Sequence, residues 1–447
     1  MSDTNINSVT PVTDAQRAHV ADFADFIVNS PSSYHAAQEI SRRLLAKGFT
    51  ELKEADSFPA TPGGYFFVRD GAVMAWFIPQ AIASSSKTGF RILGCHTDSP
   101  GFKLKPSGSS FTADGWGQID VEMYGGLLLN SWLDREIGFA GRLVDKQGNT
   151  HLVQTGPVAR VPQLAIHLDR SVNAEGVKLD PQQHMHPVWT FRTEGSEAPC
   201  ILDHLAGLAG LEDATEIAGF DVVSYATEKP NTFGFDREFF AAGRQDNLSS
   251  VHAALSALEN FVDSEVANAT TDIAVLAAFD HEEVGSSTRS GASGPILESL
   301  LRRLAAALGA DEQGYHQILD ASSCISADAG HFVHPNYAGH HDPATHPVPG
   351  RGPMLKINAN QRYATDAVGT ALWTRVCERA GIPHQEFVSN NAMPCGSTIG
   401  PLTSTRLGIT TVDVGLGLLS MHSAREMSYV ADHALLRDAV EAYWEGA

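Results

Sequence analysis

A chain of 447 residues exceeds the usual single hydrophobic core, so two domains are expected. Its 43% hydrophobic and 19% charged residues match a soluble globular protein, and a net charge of −21 argues against a basic surface for nucleic acid or anionic membranes. Residues 1–14 are polar and carry no signal-peptide pattern, no apolar run approaches the ~20 residues of a membrane span, and five cysteines without C-x-x-C spacing read as reduced thiols in the cytoplasm.

Apolar spacing predicts a helix over residues 14–29 (Val20, Phe23, Phe26, Ile27), broken by Ser30-Pro31-Ser32-Ser33. A second helix is expected over 34–47, ending at Gly48. Alternating segments at 65–68 and 73–78 and the apolar run 90–94 read as strands. From residue 100 to about 235 the texture becomes β-rich. Short segments at 118–123, 139–144, 151–154 and 163–167 lie between Gly, Pro, Asn and Asp, as in an inserted domain. From Arg244 onward strands alternate with helices: helix 247–261, strand 273–279, helix 295–308, a strand ending at 325–327, helix 365–380 closed by Gly381, strand 409–414 and helix 432–444. The expected fold is α/β: a three-layer catalytic domain with a central mixed sheet (residues 1–99 and 240–447), interrupted by a β-rich domain (residues 100–239).

The strand 273–279 runs into Asp280-His281-Glu282-Glu283-Val284-Gly285-Ser286. Adjacent carboxylates raise one another's pKa unless a cation neutralises them, and no Lys or Arg precedes Arg289 in this stretch. A metal ion is the expected neutraliser, with one glutamate as ligand and its neighbour free to move protons. Charged residues recur where other strands end: His96 and Asp98 after residues 92–95, Asp246 before the helix from Asn247, Asp328 after Ala327, and His422 beyond Val414. Carboxyl ends of strands in an open α/β sheet are where ligands bind. Each residue alone has an ordinary explanation, such as a hydrogen-bonded His-Asp pair, a helix cap, a turn or a core histidine. Together, two imidazoles and several carboxylates form a zinc-like donor set. The carboxylates are too many for one ion and suit a pair ~3.5–4 Å apart. His331, His334, His340, His341 and His346 crowd the loop after Asp328 and read mostly as loop groups.

Gly94-Cys95-His96-Thr97-Asp98-Ser99-Pro100, Gly243-Arg244-Gln245-Asp246-Asn247-Leu248, Asp280 to Ser286, Asp328-Ala329-Gly330-His331 with His334-Pro335-Asn336-Tyr337, Cys395-Gly396-Ser397-Thr398-Ile399-Gly400-Pro401 and Met421-His422-Ser423-Ala424-Arg425-Glu426 occur in this order along nearly the whole chain. In these segments the sequence resembles the aspartyl aminopeptidase family of metallopeptidases. The resemblance implies two divalent metal ions per subunit, of zinc type, and a β-rich dimerisation domain inserted in the catalytic one. It implies Asp246 bridging the metals, His96 and Asp328 completing one site, Glu283 and His422 the other, Glu282 as general base and Asp98 orienting His96. Gln245, where an aliphatic residue is expected, and Gln163, where a histidine is common, are departures that remove no ligand.

The same resemblance implies removal of N-terminal residues, preferably Asp or Glu, from peptides with a free N-terminus. Lys356 and Tyr363 match its substrate-binding lysine and tyrosine, and His167 matches a histidine lent by a neighbouring subunit. The implied assembly is a homo-oligomer, up to a tetrahedral dodecamer of dimers. Read without the resemblance, Lys356 is a solvated strand lysine and His167 a strand histidine on a polar face. A broad-specificity aminopeptidase, another two-metal amidohydrolase on this scaffold and a non-catalytic assembly protein are the alternative readings.

Overall fold

The computed structural model describes residue 9 and residues 11–84, 88–193 and 199–447. Most of the polar stretch 1–14, residues 1–8 and 10, thus lies outside the described residues. The opening helix, Asp14–Asn29, begins at a capping box. Thr13 accepts the Gln16 N–H, and the Gln16 side chain accepts the Thr13 N–H in return. The helix Ser33–Ala46 stops just before Gly48, whose φ of 80° ends it without a Cβ penalty.

Among the described residues a nine-stranded mixed sheet runs in the order Thr50–Glu51, Gly63–Arg69, Ala72–Ile78, Ile273–Phe279, Phe90–His96, Ser323–Ala327, Thr410–Gly415, Met354–Ile357, Gln385–Val388. The four strands from Ile273–Phe279 to Thr410–Gly415 are mutually parallel, so their carboxyl ends share one edge. Side chains alternate between its two faces, and a separate core lies on each. Leu93, Leu276, Ile325 and Val412 pack with the helices Asp14–Asn29, Gln245–Asp263, Ala367–Ala380 and Val430–Trp444. Ile92, Val275, Ala277 and Cys324 pack on the other side with the helices Ile296–Ala307, Glu312–Asp320 and Ile399–Leu407. Helices on both faces make the expected three layers.

The β-rich stretch forms a separate antiparallel sheet in the order Ile217–Ala226, Gly101–Phe111, Trp116–Tyr124, Val188–Phe191, Ala159–Arg160, Glu136–Asp145, Thr150–Gln154. Ile217–Ala226 also pairs with Glu136–Asp145, which closes the sheet like a barrel around Phe102, Ile119, Trp132, Phe139 and Val222.

Several expectations need correction. Residues 163–167 are not a strand but loop and turn, with Leu164 59% and Leu168 75% exposed. Their alternation found no neighbouring strand to pair with. The β-rich stretch also holds a helix, Ile201–Leu208, and the chain has further helices, Glu312–Asp320 and Ile399–Leu407, not anticipated above. Gln245 is fully buried, and its side-chain amide donates to the Glu426 carbonyl at 2.8 Å, a role no aliphatic residue fills.

Candidate active site and metal centre

The shared strand edge collects the charged residues. His96 ends its strand beside Phe279, so the turn carrying Asp280 to Glu283 starts next to it. Asp328 follows Ala327 on the adjacent strand. Asp246 lies at the start of the segment Gln245–Asp263, where Asp246 and Asn247 have non-helical backbone angles. His422 reaches the edge from the loop after Gly417–Leu418, in the left-handed region at φ 65°.

Asp246 faces two ways. Its Oδ1 is 3.4 Å from His96 Nε2 and its Oδ2 is 3.3 Å from His422 Nε2. His96 Nε2 also lies 3.5 Å from Asp328 Oδ1 and 3.9 Å from Glu282 Oε2, and His422 Nε2 lies 3.4 Å from Glu283 Oε2. Possible ligand atoms of His96, Asp246 and Asp328 lie within 4.8 Å of one another, as do those of Asp246, Glu283 and His422, and of His96, Glu282 and Glu283. The first two triads share Asp246.

Asp98 sits behind them. Its Oδ1 is 3.4 Å from His96 Nδ1, whose nearer partner is the Asp98 backbone carbonyl at 3.1 Å. The Asp98 carboxylate also accepts the N–H groups of Glu282 and Glu283, at 3.0 and 3.1 Å, and so shapes their turn. Glu426, which the sequence reading passed over, accepts the N–H groups of Asp246 (3.1 Å) and His422 (2.9 Å). Its position four residues after His422 was the available signal.

The electrostatics of this cluster call for a cation. Burial opposes charge on His96 and His422, yet the facing carboxylates prevail: Asp246, Asp328 and Asp98 hold His96 well above its ordinary pKa, and Asp246 and Glu283 raise His422 to about 10. Burial raises Glu282 to about 7 against the pull of His96, with Asp328 and Asp246 adding repulsion. Glu283 is pushed well up by burial and then by Asp246. Asp246 Oδ1 and Glu283 Oε1 are buried with no hydrogen-bond partner. Orphaned carboxylate oxygens facing imidazole nitrogens are the donor set that zinc takes, so these residues fit such an ion.

A cavity of about 230 Å³ opens from the cluster toward His331, Lys356, Tyr363, Thr398 and Met421. Lys356 is not solvated, as the bare sequence suggested, but 1% exposed. It donates to the Ala329 carbonyl at 2.7 Å, lies 3.7 Å from Asp328 Oδ2 and stands 5.4 Å from the Tyr363 ring centroid. His331, which reads from sequence as a loop histidine, lines the cavity. Its spacing from Asp328, just past a strand end, was the cue. His167 is not brought to the cluster: it lies in the exposed turn between Ile166 and Leu168 and is absent from the cavity lining.

The family model described as Aminopeptidase I zinc metalloprotease (M18) matches residues 26–444, almost the whole chain. The chain belongs to the M18 family. A probable M18 family aminopeptidase 2 of Streptomyces avermitilis is 48% identical over 431 residues, covering 96% of this chain and 98% of the relative. Among solved structures, the Ape4 and Nbr1 complex matches with a TM-score of 0.89 at 32% identity, covering 96% of this chain and 86% of that one. The S. cerevisiae mApe1 dodecamer matches with a TM-score of 0.84 at 28% identity, covering 97% and 98%. This M18 chain is a hydrolase of the aminopeptidase type, and its family is one of zinc metalloproteases.

Proposed function

We propose that this M18 chain is a two-metal aminopeptidase that removes N-terminal Asp or Glu from peptides and works as an oligomer. The observation that carries the reading is the orientation of Asp246, whose two oxygens face different imidazoles, each accompanied by a further carboxylate. In this reading His96, Asp328 and Asp246 would hold one zinc ion, and Glu283, His422 and Asp246 the other. Bound zinc supplies Lewis acidity, which brings the pKa of water towards ~7 and polarises a carbonyl.

The chain's own residues do the rest. Glu282, whose Oε2 lies 3.9 Å from His96 Nε2 at the edge of the cluster and which lines the cavity, is placed to take a proton from water and return it to the leaving amine. Asp98 steadies His96 and the glutamate turn. Lys356 has spent one N–H on Ala329, leaving donors for an acidic side chain in a cavity that also presents Tyr363. The net charge of −21 acts weakly here, because salt screens distant charge beyond ~8 Å.

The catalytic body comprises residues 1–99 and 240–447, and residues 100–239 form the dimerisation domain. Leu164, Ile166 and Leu168 expose apolar surface around His167, as expected of a loop that seats on another subunit and brings its imidazole to that subunit's site. The dodecameric neighbour supports a homo-oligomer, and the assembly proposed is a tetrahedral dodecamer of dimers. Five free thiols support a cytoplasmic setting; among the described residues no helix is long and apolar enough to cross a membrane.

The test is a panel of N-terminal aminoacyl substrates, free and blocked, run with metal-depleted and zinc-restored protein. Activity restored by zinc, confined to free N-termini and highest for Asp and Glu, is expected. Equal rates across side chains would remove the acidic preference, and cleavage of blocked substrates would remove the aminopeptidase reading.

A further inference from the structure

Residues 124–131 leave the antiparallel sheet at Tyr124, the last residue of the strand Trp116–Tyr124, and return to its core at Trp132. Trp132 is buried and packs 4.9 Å from the Phe102 ring, so both ends of the segment are anchored. Between these anchors the segment grips both sides of the metal cluster. The Tyr124 hydroxyl donates to Asp98 Oδ2 at 2.7 Å, the same carboxylate that accepts the Glu282 and Glu283 N–H groups. The Gly126 carbonyl accepts the His422 Nδ1–H at 2.8 Å, the Leu128 N–H donates to the His422 carbonyl at 3.1 Å, and Ser131 Oγ accepts the Ala424 N–H at 2.9 Å.

The chain lies against the glutamates as well. Gly125 has φ 74°, and a Cβ there would stand 3.1 Å from Glu283 Cβ, so only glycine combines this backbone with this approach. The bond at His422 Nδ1 fixes the tautomer in which Nε2, the atom facing Asp246 and Glu283, keeps its lone pair for a metal.

We propose that residues 124–131 are a positioning strap through which the antiparallel sheet sets the metal affinity of the site in its own chain. Tyr124 acts through Asp98 on the Glu282–Glu283 turn, while Gly126 and Leu128 hold His422 and Ser131 steadies its loop at Ala424 and the Leu128 carbonyl. The inference rests on reading Glu283 and His422 as metal ligands. Removing such supporting hydrogen bonds typically weakens metal binding about 10–100-fold.

The test is competition between full-length protein and a zinc-binding dye, for wild type, Tyr124→Phe, Ser131→Ala, the double variant, His422→Ala and Arg142→Gln. Arg142 ties the same sheet to the body through Asp70 at 2.7 Å, with its other side-chain hydrogen bonds going to Asp221 and none to residues 124–131, Asp98 or His422, and so controls for loosened packing. The double variant is expected to bind zinc about 10–100-fold more weakly, with each single variant between it and wild type and Arg142→Gln near wild type. The visible spectrum of the cobalt-loaded double variant is expected to shift, reporting altered geometry rather than lost stability. Wild-type affinity and spectrum in the variants would overturn the strap, as would an equal loss in Arg142→Gln. Should the double variant fail to fold, the single variants decide. Unchanged affinity and stoichiometry in His422→Ala would instead overturn the ligand reading beneath it.

Discussion

Lys356→Met keeps an unbranched stem while deleting the ammonium and its donors. At 1% exposure, with one N–H on Ala329 and Asp328 3.7 Å away, this charge is desolvated rather than screened by water. Truncating one partner of a buried, hydrogen-bonded charge pair costs about 2–5 kcal/mol. At about 1.36 kcal/mol per factor of ten, kcat/KM for N-terminal Asp or Glu should fall by roughly 30-fold to several thousand-fold more than for Ala or Leu. Asp328 also loses its cationic neighbour, which weakens every substrate alike and cancels in the comparison. The assay is therefore the ratio of kcat/KM for Asp and Ala peptides of equal length, with zinc content measured in parallel. A ratio unchanged from wild type, however low both rates become, refutes the idea that Lys356 reads the side chain.

Glu282→Gln should retain zinc and lose about 10²–10⁴ in kcat, whereas Glu283→Gln should lose zinc as well; equal metal loss in both would sink the division of roles. His167→Phe and Glu282→Gln should each be nearly inactive, and dissociating and reassembling a mixture should recover activity if subunits share the histidine. Mixed oligomers that form yet stay inactive would place His167 within its own chain or outside the chemistry. Acid should destabilise the fold through His433, which burial holds at about 3 with His252 adding repulsion, while Phe23 packs 5.0 Å from its ring. The unfolded chain binds this proton below about 6.5 and the native state does not, so its contribution is complete above that pH and shrinks as pH falls toward 3, by about 2 kcal/mol at pH 5. Urea midpoints at pH 7 and 5 should differ less in His433→Gln than in wild type, and an identical difference would show that His433 carries none of the acid sensitivity.

Long periodic elements were legible from the chain alone. The helix Asp14–Asn29 and the strand Ile273–Phe279 fall where the pattern puts them, because the helix turns one apolar stripe to one core while the strand's unbroken apolar run is buried against a core on each face. The charged residues at strand ends were legible too, though not their meeting. That depends on Phe90–His96 lying between Ile273–Phe279 and Ser323–Ala327, an order no local pattern encodes. Lys356 misled because its partner, Asp328, is remote in sequence, so nothing nearby signals a buried ion pair. Leu164, Ile166 and Leu168 misled differently: alternation normally marks a half-buried strand, and here the apolar side faces outward. The helix Ile399–Leu407 carries Gly400 and Pro401 in its first turn, where proline is tolerated, and Thr398 caps it, so it lacks the plain apolar period that marks the longer helices.

During synthesis the strand Phe90–His96 emerges long before either of its neighbours, since Ile273–Phe279 and Ser323–Ala327 follow the entire antiparallel sheet. The later sheet draws all its strands from between Gly101 and Ala226 and can close from contacts within that span. The earlier strand must wait, with both edges open and Phe90, Ile92 and Leu93 awaiting a core that arrives last. An open apolar strand is a template for pairing with other chains, and late, non-local pairing prolongs that interval. The half-made chain is thus at its most adhesive where the finished protein is most deeply buried.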